Sequence, residues 1–303
     1  MMKALLNAGL VAGLAACALA AQNTPVMGTP GTVNYIDGQV SVNGADLANR
    51  RTPGPAVLEA GGVLATQNGR AEILLAPGEF LRVGRNSEVH MVSSDMVDPK
   101  VEVTRGEAMI EVDQKLNNER IDVVTRGVDA TILKNGLYRF DSDNGRIGVL
   151  EGRMSVPENG KTKEIGKGHE FMLNGGQVPT VASFDPKAED DLYVWSRMRS
   201  GYMAEVNSSE ASSVYRGYAP FAGQGWYWNP YFTSWAWLPG DGYFYGPFGY
   251  PFFSPAFALY APYYRGGYGF RGGVVARGGF ARGASGVAAF RGGAAFHGGG
   301  GRR

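Results

Sequence analysis

The sequence predicts an all-β module, followed by one amphipathic helix, an aromatic and proline-rich segment and a disordered tail rich in glycine and arginine. Three observations carry this reading. Residues 27–180 fall into short runs in which apolar and polar residues alternate. Between 184 and 214 the apolar residues recur at three or four instead. From 217 onward charge almost disappears, apart from arginine, while glycine, proline and aromatic residues accumulate.

The β-module comes first. GTVNYIDGQVSVNG places Asp37-Gly38 between two short runs, 32–36 and 39–42. An Asp-Gly pair between apolar runs is a hairpin signal, so these two runs are expected to pair. Further runs follow: AEILLA, EFLRV, EVHMV, VEVT, AMIEV, IDVVT, LYRFD, RIGVLEG, RMSVP and HEFMLN. Their close spacing predicts two packed sheets, a β-sandwich, or a β-helix-like stack. Alternation predicts that one face of each strand meets a core and the other meets water.

GGVLATQNGRAEILLAPGEFLRVGRNSEVHMV resembles the repeating frame of the FecR domain. Gly62, Leu64, Thr66, Gly69, Ala71, Ile73, Leu75, Gly78, Leu81, Arg82, Val83 and Ser87 stand at the matching positions. VEVTRGEAMIEV and RIGVLEGRMSV resemble its recurring strand–turn–strand pieces, and IGKGHEFML its closing turn. The resemblance spans about half the chain and implies a FecR-like β-fold in an extracytoplasmic setting. FecR proteins of iron signalling are similar to anti-sigma regulators that carry a cytoplasmic segment and one membrane span besides this module. Neither of those parts is expected here. Asn135-Gly136-Leu137-Tyr138-Arg139-Phe140 also stands where the family usually has Gly-Thr-x-Phe. The resemblance therefore carries over fold and setting, and not the anti-sigma activity.

The helix is expected over 184–214. Asp185 and Pro186 read as its N-cap and first residue, with Glu189, Asp190 and Asp191 in the early turns where carboxylates suit the helix dipole. Leu192, Trp195, Met198 or Arg199, Tyr202 and Val206 form its apolar stripe, and Asn207-Ser208-Ser209 is expected to fray or end it. The stripe predicts packing on an open edge of the β-module.

The aromatic segment, 217–264, repeats itself. GQGWYWNPYF (223–232) and GDGYFYGPFG (240–249) share one frame: G-x-G, three aromatics, Asn or Gly, Pro, aromatic. Prolines at 220, 230, 239, 247, 251, 255 and 262 break the segment too often for a spanning helix, and no strand is long enough for a porin wall. Each copy is expected to be a short turn-rich unit. Trp226 and Trp228 share one strand face, and so do Trp235 and Trp237; Tyr243 and Tyr245 repeat the arrangement. Two readings stand side by side. The rings either wrap onto the β-module, or form an exposed platform on which sugar rings stack.

The tail, 265–303, holds Arg-Gly-Gly units at Arg265, Arg271, Arg277 and Arg291. Its composition buries too little apolar surface to offset ordering entropy, which predicts disorder. From 217 to 303 there are seven Arg and one acidic residue, a net +6, which leaves −5 for the first 216 residues of a chain whose total is +1. The four arginine units are candidate contacts for a polyanion.

The N-terminus reads as an export signal: Lys3, then a mostly apolar run, then two exits. Ala18-Leu19-Ala20 before Ala21 fits signal-peptide cleavage after residue 20. Leu14-Ala15-Ala16-Cys17 resembles a lipoprotein box, with a signal over 1–16 and Cys17 as the lipidated residue. Residues after Cys17 stay apolar, which favours cleavage near Ala20. Either exit places the protein in the periplasm or at the outer membrane or cell surface. Export disfavours specific RNA binding by the tail. The expected partner is instead an envelope protein or polysaccharide, with peripheral or lipid-anchored membrane association.

Catalytic chemistry finds no support. His90, His169 and His297 sit on separate elements, and Cys17 is the only cysteine. Asp141-Ser142-Asp143-Asn144-Gly145 with Glu151 is one residue short of a calcium loop and reads as a hairpin turn. No nucleophile elbow or phosphate-cradling loop occurs. No cofactor, metal or catalytic residue is expected. The sequence thus points first to a non-enzymatic exported binding or scaffold module of the cell envelope. The alternatives are an envelope-side sensor related to FecR regulation of iron uptake, and a nucleic-acid or anionic-polymer binder acting through the tail.

Overall fold

The computed structural model describes residues 25–47, 56–158, 160–173 and 180–260. The expected export signal, Cys17 and the arginine units of the tail lie outside the described residues.

The chain winds between two sheets, usually a hairpin at a time. β1 (Val33–Asp37) lies in the first sheet, and β2 (Val40–Val42), β3 (Ala45–Asp46) and β4 (Val63–Thr66) in the second. β5 (Arg70–Leu74) and β6 (Glu79–Val83) return to the first; β7 (Glu88–Ser94) and β8 (Pro99–Arg105) go to the second. β9 (Glu107–Val112) is in the first, β10 (Ile121–Thr125) and β11 (Val128–Ile132) in the second, β12 (Gly136–Asp141) and β13 (Arg146–Glu151) in the first. β14 (Arg153–Glu158) and β15 (Lys161–Gly166) close the second sheet, and β16 (His169–Met172) and β17 (Thr180–Ser183) close the first. The order is β1-β5-β6-β9-β12-β13-β16-β17 in the first sheet and β15-β14-β11-β10-β8-β7-β4-β2-β3 in the second. Neighbours run antiparallel except β10 and β8, which are parallel.

The sheets pack face to face as a sandwich. Ile73, Leu81, Ile110, Phe140, Ile147 and Phe171 of the first sheet meet Leu64, Val89, Val101, Val123, Ile132 and Met154 of the second in one buried core. The Asp141–Gly145 stretch is the turn between β12 and β13, where Asp141 Oδ1 accepts from the Asn144 N–H.

Two expectations about the β-module fail. Asp37-Gly38 does turn the chain, with Gly38 at φ +85°. The strands it joins do not pair, however: β1 pairs with β5, whereas β2 pairs with β3 and β4. A turn signal specifies the bend and not the partner, and here both flanking strands bury an apolar face in one core from opposite sheets. The expected wet face is also missing from the middle of the first sheet: β6 is buried at every residue, so both of its faces are covered. β8 of the second sheet alternates buried and half-buried, and β16 and β17 at the end of the first keep exposed residues.

The cover is the helix and the aromatic segment. α1 spans Asp191–Tyr215 with Asp190 as N-cap, accepting from the Tyr193 N–H. It begins later than expected because Asp185-Pro186 forms its own turn, in which Asp185 Oδ1 accepts from the Lys187 N–H. It also passes straight through Asn207-Ser208-Ser209. Asn207 is fully buried, and its amide donates to Trp237 O and Phe253 O and accepts from Phe253 N. A polar side chain that ends helices in water continues one here because strand backbone satisfies it. Arg199 faces inward and Met198 is exposed. The helix lies on the outer face of the first sheet and not on an edge, with Trp195 beside Met109 and Leu137.

Both copies of the aromatic repeat fold as hairpins: β18 (Gly225–Asn229) with β19 (Ser234–Leu238), and β20 (Tyr243–Tyr245) with β21 (Pro251–Phe253). A 3-10 turn follows at Pro255–Tyr260. Among the described residues no helix is long and apolar enough to cross a membrane.

Candidate functional site

The register of the first hairpin decides which tryptophans are available. Trp226 opposes Trp237, and Trp228 opposes Trp235. Trp226, Trp235 and Trp237 are buried against Leu74, Phe80, Met203 and Phe252 on the outer face of the first sheet. Trp226 stands edge-on to Phe80 at 5.1 Å, and Trp237 lies 5.2 Å from Phe252. These three rings are core, so a platform of four exposed tryptophans does not form. Trp228 (39 %), Tyr243 (44 %) and Tyr245 (45 %) keep substantial exposure. Trp228 and Trp235 form a T-shaped pair, as do Tyr243 and Tyr245. The six candidates therefore divide into three that hold the cover down and three that face outward.

Beside Tyr245 runs a groove of about 300 Å³ lined by Asn135, Gly136, Glu151, Tyr245, Gly246 and Pro247. It adjoins, through Asn135, a polar depression of about 460 Å³ lined by Lys115, Leu116, Asn117, Leu133, Lys134 and Asn135. Asn135 is held by its own bonds: Nδ2 donates to Asp113 O and Oδ1 accepts from Lys115 N. A ring, amides and lysine ammonium groups along a shallow surface suit a polyhydroxylated or acidic ligand, since they offer stacking, hydrogen bonding and charge without a nucleophile. Sequence reasoning missed Lys115, Lys134 and Asn135. The one available signal was Asn135-Gly136, where the sequence departs from the FecR frame.

Beneath the cover lies a layer of buried charge. Glu72, Arg82 and Glu111 sit on the outer faces of β5, β6 and β9 and are fully buried. Arg82 donates to Glu72 at 3.0 Å and to Glu111 through a short ion pair, and stands 5.3 Å from the Phe80 ring centre. From α1, Arg199 donates to Glu72 at 2.8 Å and Ser200 to Glu111 at 2.6 Å. The Arg199 guanidinium also lies between Tyr35, at 4.1 Å, and Tyr202, at 4.7 Å. Asn34 adds a donor to Glu72, while its oxygen accepts from Trp235 N. Burial pushes the Glu72 carboxyl up, but Arg199 and Arg82 overcome this and hold it at about 2. Strand, helix and hairpin are thus fastened through one ionic network. Its chemistry is structural: among the described residues no three His, Cys, Asp or Glu side chains converge to hold a metal. His90 pairs with Glu88 and His169 with Lys167 O, on separate strands, and His297 lies outside the described residues.

Comparison with known proteins agrees with the frame read from the sequence. The FecR protein family model matches residues 62–155, from just before β4 into β14. This match covers a shorter stretch than the half of the chain that the resemblance spans. Two crystal structures described as a "putative anti-sigma factor" from Parabacteroides distasonis ATCC 8503 are similar to parts of it. The first is 13% identical, with a TM-score of 0.35, over 47% of this chain and 63% of that one. The second is 12% identical, with a TM-score of 0.35, over 51% of this chain and 72% of the other. No curated protein matches.

Proposed function

We propose that this chain is a non-enzymatic FecR-domain binding module of the bacterial envelope, and that it contacts an envelope polysaccharide along the Tyr243–Tyr245 edge and the adjoining groove. The observation that carries the reading is the split within the aromatic repeat. Trp226, Trp235 and Trp237 are spent on packing, while Tyr243 and Tyr245 stay exposed, with Tyr245 lining the groove whose Asn135 also borders the depression of Lys115 and Lys134. The FecR match supports the coarser statement, a regulatory or signalling component on the envelope side, and leaves an envelope protein as the second reading. The arginine units of the tail would add contacts to an anionic polymer.

Binding of the full chain to purified lipopolysaccharide and to alginate tests this. Tyr245→Ala and Lys134→Ala are each expected to weaken binding about tenfold, near 1.4 kcal/mol, with little change in melting. Unaltered binding in both variants overturns the groove. Fractionation of wild type and Cys17→Ala tests the setting: a cytoplasmic wild type overturns export, and loss of membrane association in the variant establishes lipidation.

A further inference from the structure

The charged layer under the cover does not balance. It holds three carboxyl groups, Glu72, Glu111 and Asp113, against two guanidinium groups, Arg82 and Arg199, all of them buried. Glu72 is bonded to both arginines, and Glu111 to Arg82 and Ser200. Asp113, just past the end of β9, meets no donor on either carboxyl oxygen, and the Glu111 carboxyl beside it is a second acceptor. A carboxylate so placed takes up a proton in preference to remaining charged. What presses on it is the loop of the second aromatic hairpin. A Cβ at Gly246 would stand 2.6 Å from Asp113 Oδ1 and 3.2 Å from Glu111 Oε1, so the loop backbone closes directly over both carboxyl groups and a side chain there would displace them.

We propose that the Gly246–Tyr250 loop is a proton-held cover: it is seated while Asp113 carries a proton, and it lifts when that proton leaves. This deepens the binding-site reading, on which it rests for its consequence, because Gly246 and Pro247 of the loop line the groove beside Tyr245, the last residue of β20. The loop packs on the cover through Phe248 and Tyr250, which lie half-buried against the clusters around Trp195 and Trp226. It is closed by two backbone bonds, Gly246 N to Tyr250 O and Gly249 N to Gly246 O. Phe248 rests edge-on against Tyr193 on the surface of α1. β21, in contrast, is pinned by Asn207 through Phe253.

The groups facing Asp113 set the sign. On its own strand stands Glu111, which repels the carboxylate. On β6 stands Arg82, already shared between Glu72 and Glu111. α1 contributes the uncharged Ser200 hydroxyl and, farther off, Arg197, which acts on the Tyr250 phenol together with Glu111. The loop itself presents Gly246 backbone and no cation. Burial first, and Glu111 second, push Asp113 well above the usual carboxylate range, with Arg82 opposing. The seated loop therefore binds the proton more tightly than the lifted one. Acid seats it, and rising pH releases it from above the ordinary carboxylate range upward.

Hydrogen exchange on the full chain, corrected for intrinsic rates, reads the motion. Between pH 5.5 and 8.5 protection of the Gly246 and Gly249 amides is expected to fall at least tenfold, while β6 and β9 keep theirs. In Asp113→Asn protection is expected to stay high at both pH values. An unchanging wild type, or the same pH response in the variant, overturns the proposal. Should the variant fail to fold, isotope-edited infrared spectra of the wild type decide: a protonated aspartic carboxyl that persists at pH 6 and is lost in step with the protection of the loop amides is required, and its absence overturns the proposal. Both readouts are made without glycan, so failure here leaves the binding reading standing, and failed glycan binding leaves the loop result standing.

Discussion

Replacing Arg82 with Met removes the central cation of the buried layer while roughly keeping its volume. Glu72 would still hold Arg199 at 2.8 Å and Asn34 at 2.9 Å. Glu111 would keep only the Ser200 hydroxyl at 2.6 Å. The orphan is therefore Glu111, a carboxylate with no exposure and no remaining cation bonded to it. Removing one partner of a buried ion pair costs about 3–5 kcal/mol, mostly the penalty of the charge left behind. That is a large part of a typical domain stability of about 5–15 kcal/mol. Urea unfolding at pH 7, followed by tryptophan fluorescence, measures it. The single variant is expected to lose about 3–5 kcal/mol with an unchanged slope. Adding Glu111→Gln is expected to recover at least about 1 kcal/mol, because a neutral amide is cheaper to bury than a lone carboxylate. A loss below about 1 kcal/mol in the single variant, or a double variant no better than the single, would refute the account of the layer.

Three other outcomes follow from the same geometry. Glu72, held at about 2 by its arginines against an ordinary value near 4.5, stabilises the fold by on the order of 3 kcal/mol above pH 5; this is lost as pH falls toward 2, and Glu72→Gln should flatten that limb of an acid titration. Trp237→Ala empties a fully buried site and should cost about 3–5 kcal/mol in chemical unfolding, whereas Trp228→Ala should stay near 1 kcal/mol or below; equal costs would mean the hairpin register is wrong. Asn207→Ala leaves Trp237 O, Phe253 O and Phe253 N without their partner and should cost roughly 2–4 kcal/mol, with the second hairpin losing amide protection ahead of the sandwich.

How much of this was legible depends on the range over which each property is set. Strand alternation, the three-and-four spacing after Leu192 and the doubled G-x-G aromatic unit are local, and each corresponds to an element of the right kind. The Asp185 start and the Asn207 end were misread because capping residues act by what they bond. Asp185 bonds its own turn, and Asn207 bonds strands far along the chain. The groove at Asn135 was invisible because it forms where a β11–β12 turn meets a hairpin more than a hundred residues later.

By itself the sequence determined that this is a β-rich chain with one helix and paired aromatic turns, since period and turn chemistry are written in neighbouring residues. Tertiary structure alone decided that the charged positions of β5, β6 and β9 face inward. A strand carrying Glu72, Arg82 or Glu111 on alternate residues looks half-solvated. It becomes fully buried only because Arg199 and Ser200 arrive from a helix 127 and 89 residues away to satisfy it. The same convergence chose which tryptophans became core, and it left the buried Asp113 carboxyl oxygens without a donor.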